Sequence, residues 1–424
     1  MKALLLFIFI SIAAHAQSFF KFEDYFTDKT LRIDYFHAGN KTSDSYYFDE
    51  MIEEGKWAGS KVNLIDKFNY GKYKVEVTDA ESGRLIYSKH YSTLFSEWQT
   101  TEEANTISKS FSETVIIPFP LKKVKVKFYT RDKKNLLHEK FSMDIDPADY
   151  FIKKERRNKF PLYDLHVTGD NSKRVDIVII PEGYTAQEME KFKKDARRLV
   201  DTMLSVTPFK QNSEKFNFYL VLAPSEESGT DIPAKGVWKS TVASTSFYTF
   251  DEERYLMTED NKAVRDLAAN APYEHIYILV NSSKYGGGAI YNHYAVSVAD
   301  NNYSPYVFVH EFGHSFGFLA DEYYTSSTAY VDFYPLDVEP LEANITTLVN
   351  FESKWKHLVP KNVPVPTPAK PEYLPVVGVF EGGGYVAKGV YRPKQDCTMF
   401  SITIDNFCPV CKKAIEDLIS FQSE

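Results

Sequence analysis

The run His310-Glu311-Phe312-Gly313-His314 has the types and spacing that do chemistry. Residues four apart on a helix share a face, so both imidazoles can reach one ion, with Glu311 beside it. Ser304-Pro305 upstream supplies a start signal, an N-cap hydroxyl followed by proline at the first helical position. Gly317 is expected to take the positive φ that stops the helix and turns the chain back. That turn is a requirement, because on a continuing helix Asp321 would lie about 10 Å along the axis from His314. Asp321 and Glu322 then arrive where a third ligand is needed. The chemistry implied is hydrolysis of a peptide bond at one catalytic zinc ion. Three protein ligands leave a position for water and lower its pKa to ~7. Glu311 would take its proton as general base and pass it to the leaving amine. The competing reading, two core histidines on an amphipathic helix, leaves buried imidazoles beside a glutamate with no partners.

The elements that must position these residues read as an α/β unit. Val175–Ile180 is an unbroken apolar run of buried-strand length, followed by a Thr185-x-x-Glu188 capping box. Met189, Phe192, Ala196, Leu199, Val200 and Met203 then mark one face of a helix. Phe216–Leu222 and Ile276–Asn281 are further strands, with another helix expected around Glu252–Ala269. Tyr285-Gly-Gly-Gly-Ala-Ile-Tyr291 reads either as an edge strand that pairs with substrate backbone or as a glycine loop. Ahead of this unit, Phe19–Asp146 alternates apolar and polar residues between turns. Tyr73–Val77 and Leu85–Tyr91 form a hairpin there, so a β-sandwich is expected. No constellation of His, Cys or paired acids stands out in it, and its role reads as packing or binding. The expected organisation is a signal peptide at 1–16, a β-sandwich at 17–150, a linker at 151–165 and a catalytic domain at 166–424.

His-Glu-x-x-His-x-x-Gly followed by an acid resembles the metzincin zinc peptidases. Within them the chain is similar to the immunoglobulin A peptidase family of secreted bacterial metallopeptidases. The similarity is carried by Val175–Thr185, His310–Tyr323, Val379–Tyr385, Gly389–Pro393, Asp396–Met399 and Phe407–Cys411. The N-terminal β-domain resembles the accessory domain ahead of such catalytic domains. The resemblance implies a metzincin-like fold with His310 and His314 as zinc ligands, Glu311 as general base and Met399 in the turn beneath the metal. One position departs from the pattern. The usual third-ligand position, three residues after the glycine, is Ala320, which cannot bind. Asp321, one residue later, is favoured over Glu322 because its short side chain suits a ligand just past a tight turn. An anionic third ligand lowers the site's net charge and makes zinc a weaker Lewis acid, so Tyr323 or Tyr324 is a candidate donor to the oxyanion.

Composition narrows the partners. The net charge of −8 argues against nucleic acid, which needs a basic face. Lys2, the apolar stretch Leu4–Ala13 and Ala14-His15-Ala16 form an export signal, too short to span a bilayer. Export to the periplasm, cell surface or medium is expected, with no membrane insertion and a protein or peptide as substrate. All three cysteines, Cys397, Cys408 and Cys411, lie near the C-terminus. A disulfide from Cys397 to Cys408 or Cys411 is expected in such a compartment; a structural metal site lacks a fourth donor nearby, and free thiols are the remaining alternative. Pro360–Pro375, with six prolines, reads as a loop over the cleft or a surface spacer. Asn281 and Asn344 match glycosylation acceptors. The rival function is a surface adhesion or glycan-binding protein with a vestigial peptidase domain; a binding module, however, has no use for a base between two ligands.

Overall fold

The computed structural model describes residues 20–154, 159–325 and 333–424. The signal segment expected at 1–16, and residues 155–158 of the basic stretch before the catalytic unit, lie outside them.

The N-terminal region is β-rich, with seven strands in two antiparallel sheets. One has the order β2 (Asp44–Glu53), β1 (Phe26–Gly39), β5 (Lys109–Pro120). The other runs β4 (Leu85–Tyr91), β3 (Tyr73–Asp79), β6 (Val124–Arg131), β7 (Leu137–Ile145). Alternation in the sequence becomes alternation in burial: every second residue of β3 is buried, as period two requires. Leu31, Ile33, Val75, Val77, Val126 and Phe128 meet in one apolar cluster fed by both sheets. Ile152 joins that cluster, and Lys153 N–H donates to the Met51 carbonyl at 3.0 Å, so the chain is still packed where a linker was expected to begin. A five-residue helix, α1 (Leu94–Trp98), turns Phe95 and Trp98 toward the following region.

That region is mixed α/β. Its six-stranded sheet has the order β12 (Gly287–Ile290), β13 (Tyr294–Val298), β11 (His275–Val280), β9 (Val175–Glu182), β10 (Phe216–Val221), β8 (Leu162–His166). The four inner strands are parallel; β12 and β8 are antiparallel edges. All eight residues of β9 are buried, which explains a sequence that is apolar save for Asp176 and Glu182. Helix α2 (Met189–Ser205) buries Phe192, Ala196, Leu199, Val200 and Met203, and the Glu188 carboxylate accepts the Thr185 N–H at 2.9 Å to cap the turn before it. Helix α3 covers only Asn261–Ala268, shorter than the expected Glu252–Ala269. Its missing first part instead runs along the sheet, where Gly287 N–H donates to the Arg254 carbonyl and Leu256 N–H to the Gly287 carbonyl, each at 3.2 Å. Tertiary pairing outweighs helix propensity there.

Helix α4 (Ser304–Ser315) lies against β12 and β13 and carries the histidines. Tyr303 is its N-cap, so Ser304 and Pro305 sit one position further into the helix than expected. Beyond α4 come the hairpin β14 (Phe380–Gly383) and β15 (Val386–Arg392), then helix α5 (Pro409–Gln422). The two regions share a core in which Phe95, Trp98, Phe111 and Ile116 pack with Val178, Val221 and Ile278. Arg32 extends the junction, reaching Asp34 and, across it, Asp266 at 2.7 Å. Among the described residues no helix is long and apolar enough to cross a membrane.

Candidate metal centre

Helix α4 points His310, Glu311 and His314 into a cleft of about 1430 Å³ between the two regions. Its floor and walls include β12, Tyr285, Arg254, Tyr323 and Tyr385, with Lys72 and Arg131 from the N-terminal region. The helix ends where the sequence requires, but not by the expected device. Gly317 is not in the left-handed region; Phe318 is, at φ 49°. Phe318 N–H donates to the His314 carbonyl at 3.1 Å, closing the terminal turn. Gly317 is there for room, since a Cβ would stand 2.6 Å from the Gly313 carbonyl oxygen.

Past this turn the chain is held on both sides. Asn344 brackets Ala320, its Oδ1 accepting from Ala320 N–H and its Nδ2 donating to the Ala320 carbonyl, both at 2.8 Å. The turn of the β14–β15 hairpin closes the other side: Gly384 N–H bonds the Asp321 carbonyl at 2.9 Å and Tyr385 N–H the Tyr323 carbonyl at 3.0 Å. Asp321 is thereby aimed at the histidines. Its Oδ1 lies 3.0 Å from His310 Nε2 and 3.3 Å from His314 Nε2, and the two Nε2 atoms are 3.1 Å apart. Its Oδ2 accepts from the Tyr385 hydroxyl at 2.7 Å.

The far side of each imidazole fixes its tautomer. His310 Nδ1 donates to the Thr398 carbonyl at 3.1 Å, and His314 Nδ1 to the Leu319 carbonyl at 2.5 Å. Both Nε2 lone pairs therefore face Asp321 Oδ1, a buried oxygen with no hydrogen-bond donor. Three electron-rich atoms so close demand a cation among them. Without a metal ion a proton serves: burial disfavours the charged imidazole, but the Asp321 carboxylate outweighs it and lifts His314 to about 9. Burial likewise opposes ionisation of Asp321, yet the two histidines hold it well below the usual carboxylate range. The donor set fits zinc, because ligands at about 2.0–2.1 Å on a tetrahedron place neighbouring donor atoms about 3.3 Å apart.

Glu311 stands beside this trio against β12, where a Cβ on Gly287 would come within 3.1 Å of its Oε1. Burial raises the carboxyl above its ordinary range, while the charges of His310 and His314 pull the other way. Tyr323 lines the cleft, its hydroxyl accepting from Arg254 Nη2 at 3.3 Å; Tyr324 leaves it to pack on Phe400 and Arg392. Met399 lies under α4, its sulfur 3.0 Å from where a Gly313 Cβ would be, and its carbonyl accepts the Glu322 N–H at 2.8 Å. Glu322 points away from the cleft into the core, toward the cysteines.

The three thiols are buried and unbonded, with Cys397 Sγ and Cys411 Sγ 3.8 Å apart, so the expected disulfide is not formed. The cleft is bordered by residues 333–342 rather than by Pro360–Pro375. Asn344 is fully buried, which rules it out as a glycosylation acceptor. The sequence reading missed Arg254, Asn344 and Tyr385. For Tyr385 a signal existed, since Gly382-Gly-Gly384 before it marks a tight turn.

No curated protein matches the sequence. The family described as IgA Peptidase M64 matches residues 163–375 and 369–419, and its companion, Peptidase M64 N-terminus, matches 21–142. With most of its length so matched, the chain belongs to the IgA peptidase M64 family and is a zinc-dependent endopeptidase.

Proposed function

We propose that His310, His314 and Asp321 hold a single catalytic zinc ion and that Glu311 is the general base of peptide-bond hydrolysis. The observation that carries this reading is the convergence of two Nε2 lone pairs on the donor-less Oδ1 of Asp321. It supports Asp321 over Glu322, whose side chain faces the core. Zinc bound there supplies a Lewis acid that acidifies water and polarises the scissile carbonyl. Glu311 removes the proton from the attacking water and delivers it to the leaving amine. Its raised pKa suits both halves of that transfer, since a carboxyl nearer neutrality gives the proton up as readily as it takes it. Tyr323, held by Arg254, offers a hydrogen bond from its hydroxyl to the carbonyl oxygen as negative charge builds.

The substrate is an extended segment of a protein. Small-molecule sites occupy roughly 300–1,000 Å³, whereas this cleft is larger and has along one wall β12, whose outer edge is paired with 254–256 at Gly287 and continues past it to Ile290. Edge pairing holds peptide backbone with little demand on side chains. The catalytic region is read as metzincin-like, with Met399 as the methionine beneath the metal and the N-terminal region as a β-sandwich that forms the opposite wall. The proposed domain bounds are 17–150 and 166–424, with Ile152 and Lys153 packed on the first and β8 (Leu162–His166) joined to the sheet of the second. Export through Met1–Ala16 is part of the proposal, and a mature chain beginning at Gln17 by intact mass is the expected result.

The test of function is casein cleavage, with and without chelator, by the wild type and Glu311→Gln. The expected result is chelator-sensitive cleavage by the wild type and none by a variant that still binds zinc. Cleavage by Glu311→Gln at the wild-type rate would remove Glu311 as the base, whereas no cleavage by the wild type would leave the adhesion or glycan-binding reading in its place.

A further inference from the structure

We infer that Cys397, Cys408, Cys411 and Glu322 form a second metal site, closed and structural, that takes zinc. The four donor atoms lie within 4.8 Å of one another, and all four residues are buried. They come from three places: Glu322 follows Asp321, Cys397 precedes Met399, and Cys408-Pro-Val-Cys411 opens α5.

Three observations point to a ligand. The first is the spacing of the sulfurs. Cys397 Sγ and Cys411 Sγ are 3.8 Å apart. Zinc–sulfur bonds of about 2.3 Å on a tetrahedron set neighbouring sulfurs about 3.8 Å apart, while a disulfide brings them to about 2.0 Å. The second is the direction of the surrounding N–H groups. Cys408 N–H donates to Cys397 Sγ at 3.3 Å, and Cys411 N–H to Cys408 Sγ at 3.4 Å. Such bonds favour sulfur as thiolate, the form that binds metal. The third is Glu322. It is fully buried, and its Oε1 is met by Asn344 Nδ2 at 3.0 Å and by the Cys411 thiol at 3.4 Å. Its Oε2 is buried with no partner.

A disulfide accounts for less of this. Joining Cys397 to Cys411 leaves Cys408 and the Glu322 carboxylate in an apolar cluster with Met399, Phe407, Val410 and Ile415. Arg392 is buried nearby and its charge favours the Glu322 carboxylate, but no hydrogen bond or ion pair joins the two, and Arg392 Nη1 donates to the carbonyls of Glu381 and Gly382. A divalent ion satisfies all four donors together. The fourth donor, absent from the local sequence around the cysteines, comes from 75 residues before Cys397. A closed site here pins the segment bearing Asp321 to the turn that holds Met399 and to α5.

The test uses the full-length protein and metal analysis. The wild type is expected to hold two zinc ions per chain and to give three titratable thiols once denatured with chelator under non-reducing conditions. The double variant His310→Ala/His314→Ala is expected to keep one. Reconstituted with cobalt(II), that variant should show thiolate-to-cobalt charge-transfer absorption, which a site of imidazoles and carboxylate lacks. Cys408→Ser should lose that absorption; the cobalt spectrum of the double variant itself decides the matter if Cys408→Ser does not fold. A zinc-free double variant, or one thiol in place of three, overturns the inference while leaving the catalytic reading intact. A single zinc in the wild type that the double variant retains does the reverse.

Discussion

Two regions of the molecule bury histidine against carboxylate, and they do so to opposite ends. In the N-terminal region His37, fully buried, places Nδ1 3.1 Å from Glu113 and Nε2 3.3 Å from Asp44. Its ring stacks against Tyr46, and Asp44 also takes bonds from Thr130 and Lys140. Both nitrogens are used on acids, and burial, which opposes the charge, is outweighed by Glu113 and Asp44, so the pKa is raised. On α4, by contrast, His310 and His314 use Nδ1 on backbone carbonyls and leave Nε2 open toward a carboxylate oxygen. A histidine satisfied on both nitrogens is structural; one oriented from behind and left unsatisfied in front is ready for a ligand. The convergence of two Nε2 atoms on one carboxylate oxygen makes the difference.

Breaking each site should have effects of a different kind. The largest is expected from Glu311→Gln, which should lower kcat by about 10²–10⁴-fold with zinc content unchanged, measured by steady-state cleavage and metal analysis. Next is His37→Ala, which leaves the buried Glu113 without its partner and Asp44 with Thr130 and Lys140 alone. A loss of about 3–5 kcal/mol in urea unfolding is expected, with cleft zinc retained in the folded protein. If His37→Ala instead lost zinc at unchanged stability, the contrast between the two regions would collapse. Tyr385→Phe removes the hydroxyl that orients Asp321 and should weaken zinc binding about 10–100-fold by competition with a chelator, without unfolding the chain.

The smallest effect is on pH dependence. Because folding raises the pKa of His37, its stabilisation is complete below the unfolded value of about 6.5 and fades as pH rises through the folded value. The stability gap between wild type and His37→Gln should therefore narrow on the alkaline side. A gap that widens there would contradict the charged-histidine assignment.

Local signals were legible in the sequence because local physics produces them. The helix bearing His310 and His314, the buried run of β9, the amphipathic face of α2 and the β3–β4 hairpin all followed from periodicity and capping. The turn after α4 was foreseen from the need to bring an acid back, but its left-handed residue is Phe318 and not Gly317. The helix expected from Glu252 shrank to Asn261–Ala268, since pairing of 254–256 with β12 is a contact no local pattern reports. The same limit hid the trio of His37, Asp44 and Glu113, because Asp44 sits on the next strand but Glu113 comes from 76 residues beyond His37. Asn344, which brackets Ala320 beside Asp321, was invisible for that reason too, whereas Tyr385 follows a glycine turn that the sequence does show.

The sequence by itself determined that two imidazoles would share one face of a helix with a glutamate beside them, because a 3.6-residue repeat leaves no other outcome. It also determined that an acid would follow a turn, and that Ala320 could not be a ligand. Only the tertiary structure decided which way each of two adjacent acids points. Asn344 and the β14–β15 turn fix the backbone on either side, so Asp321 faces the open cleft and Glu322 the closed core of cysteines. Two adjacent side chains take opposite directions here because the packing around them assigns a side to each.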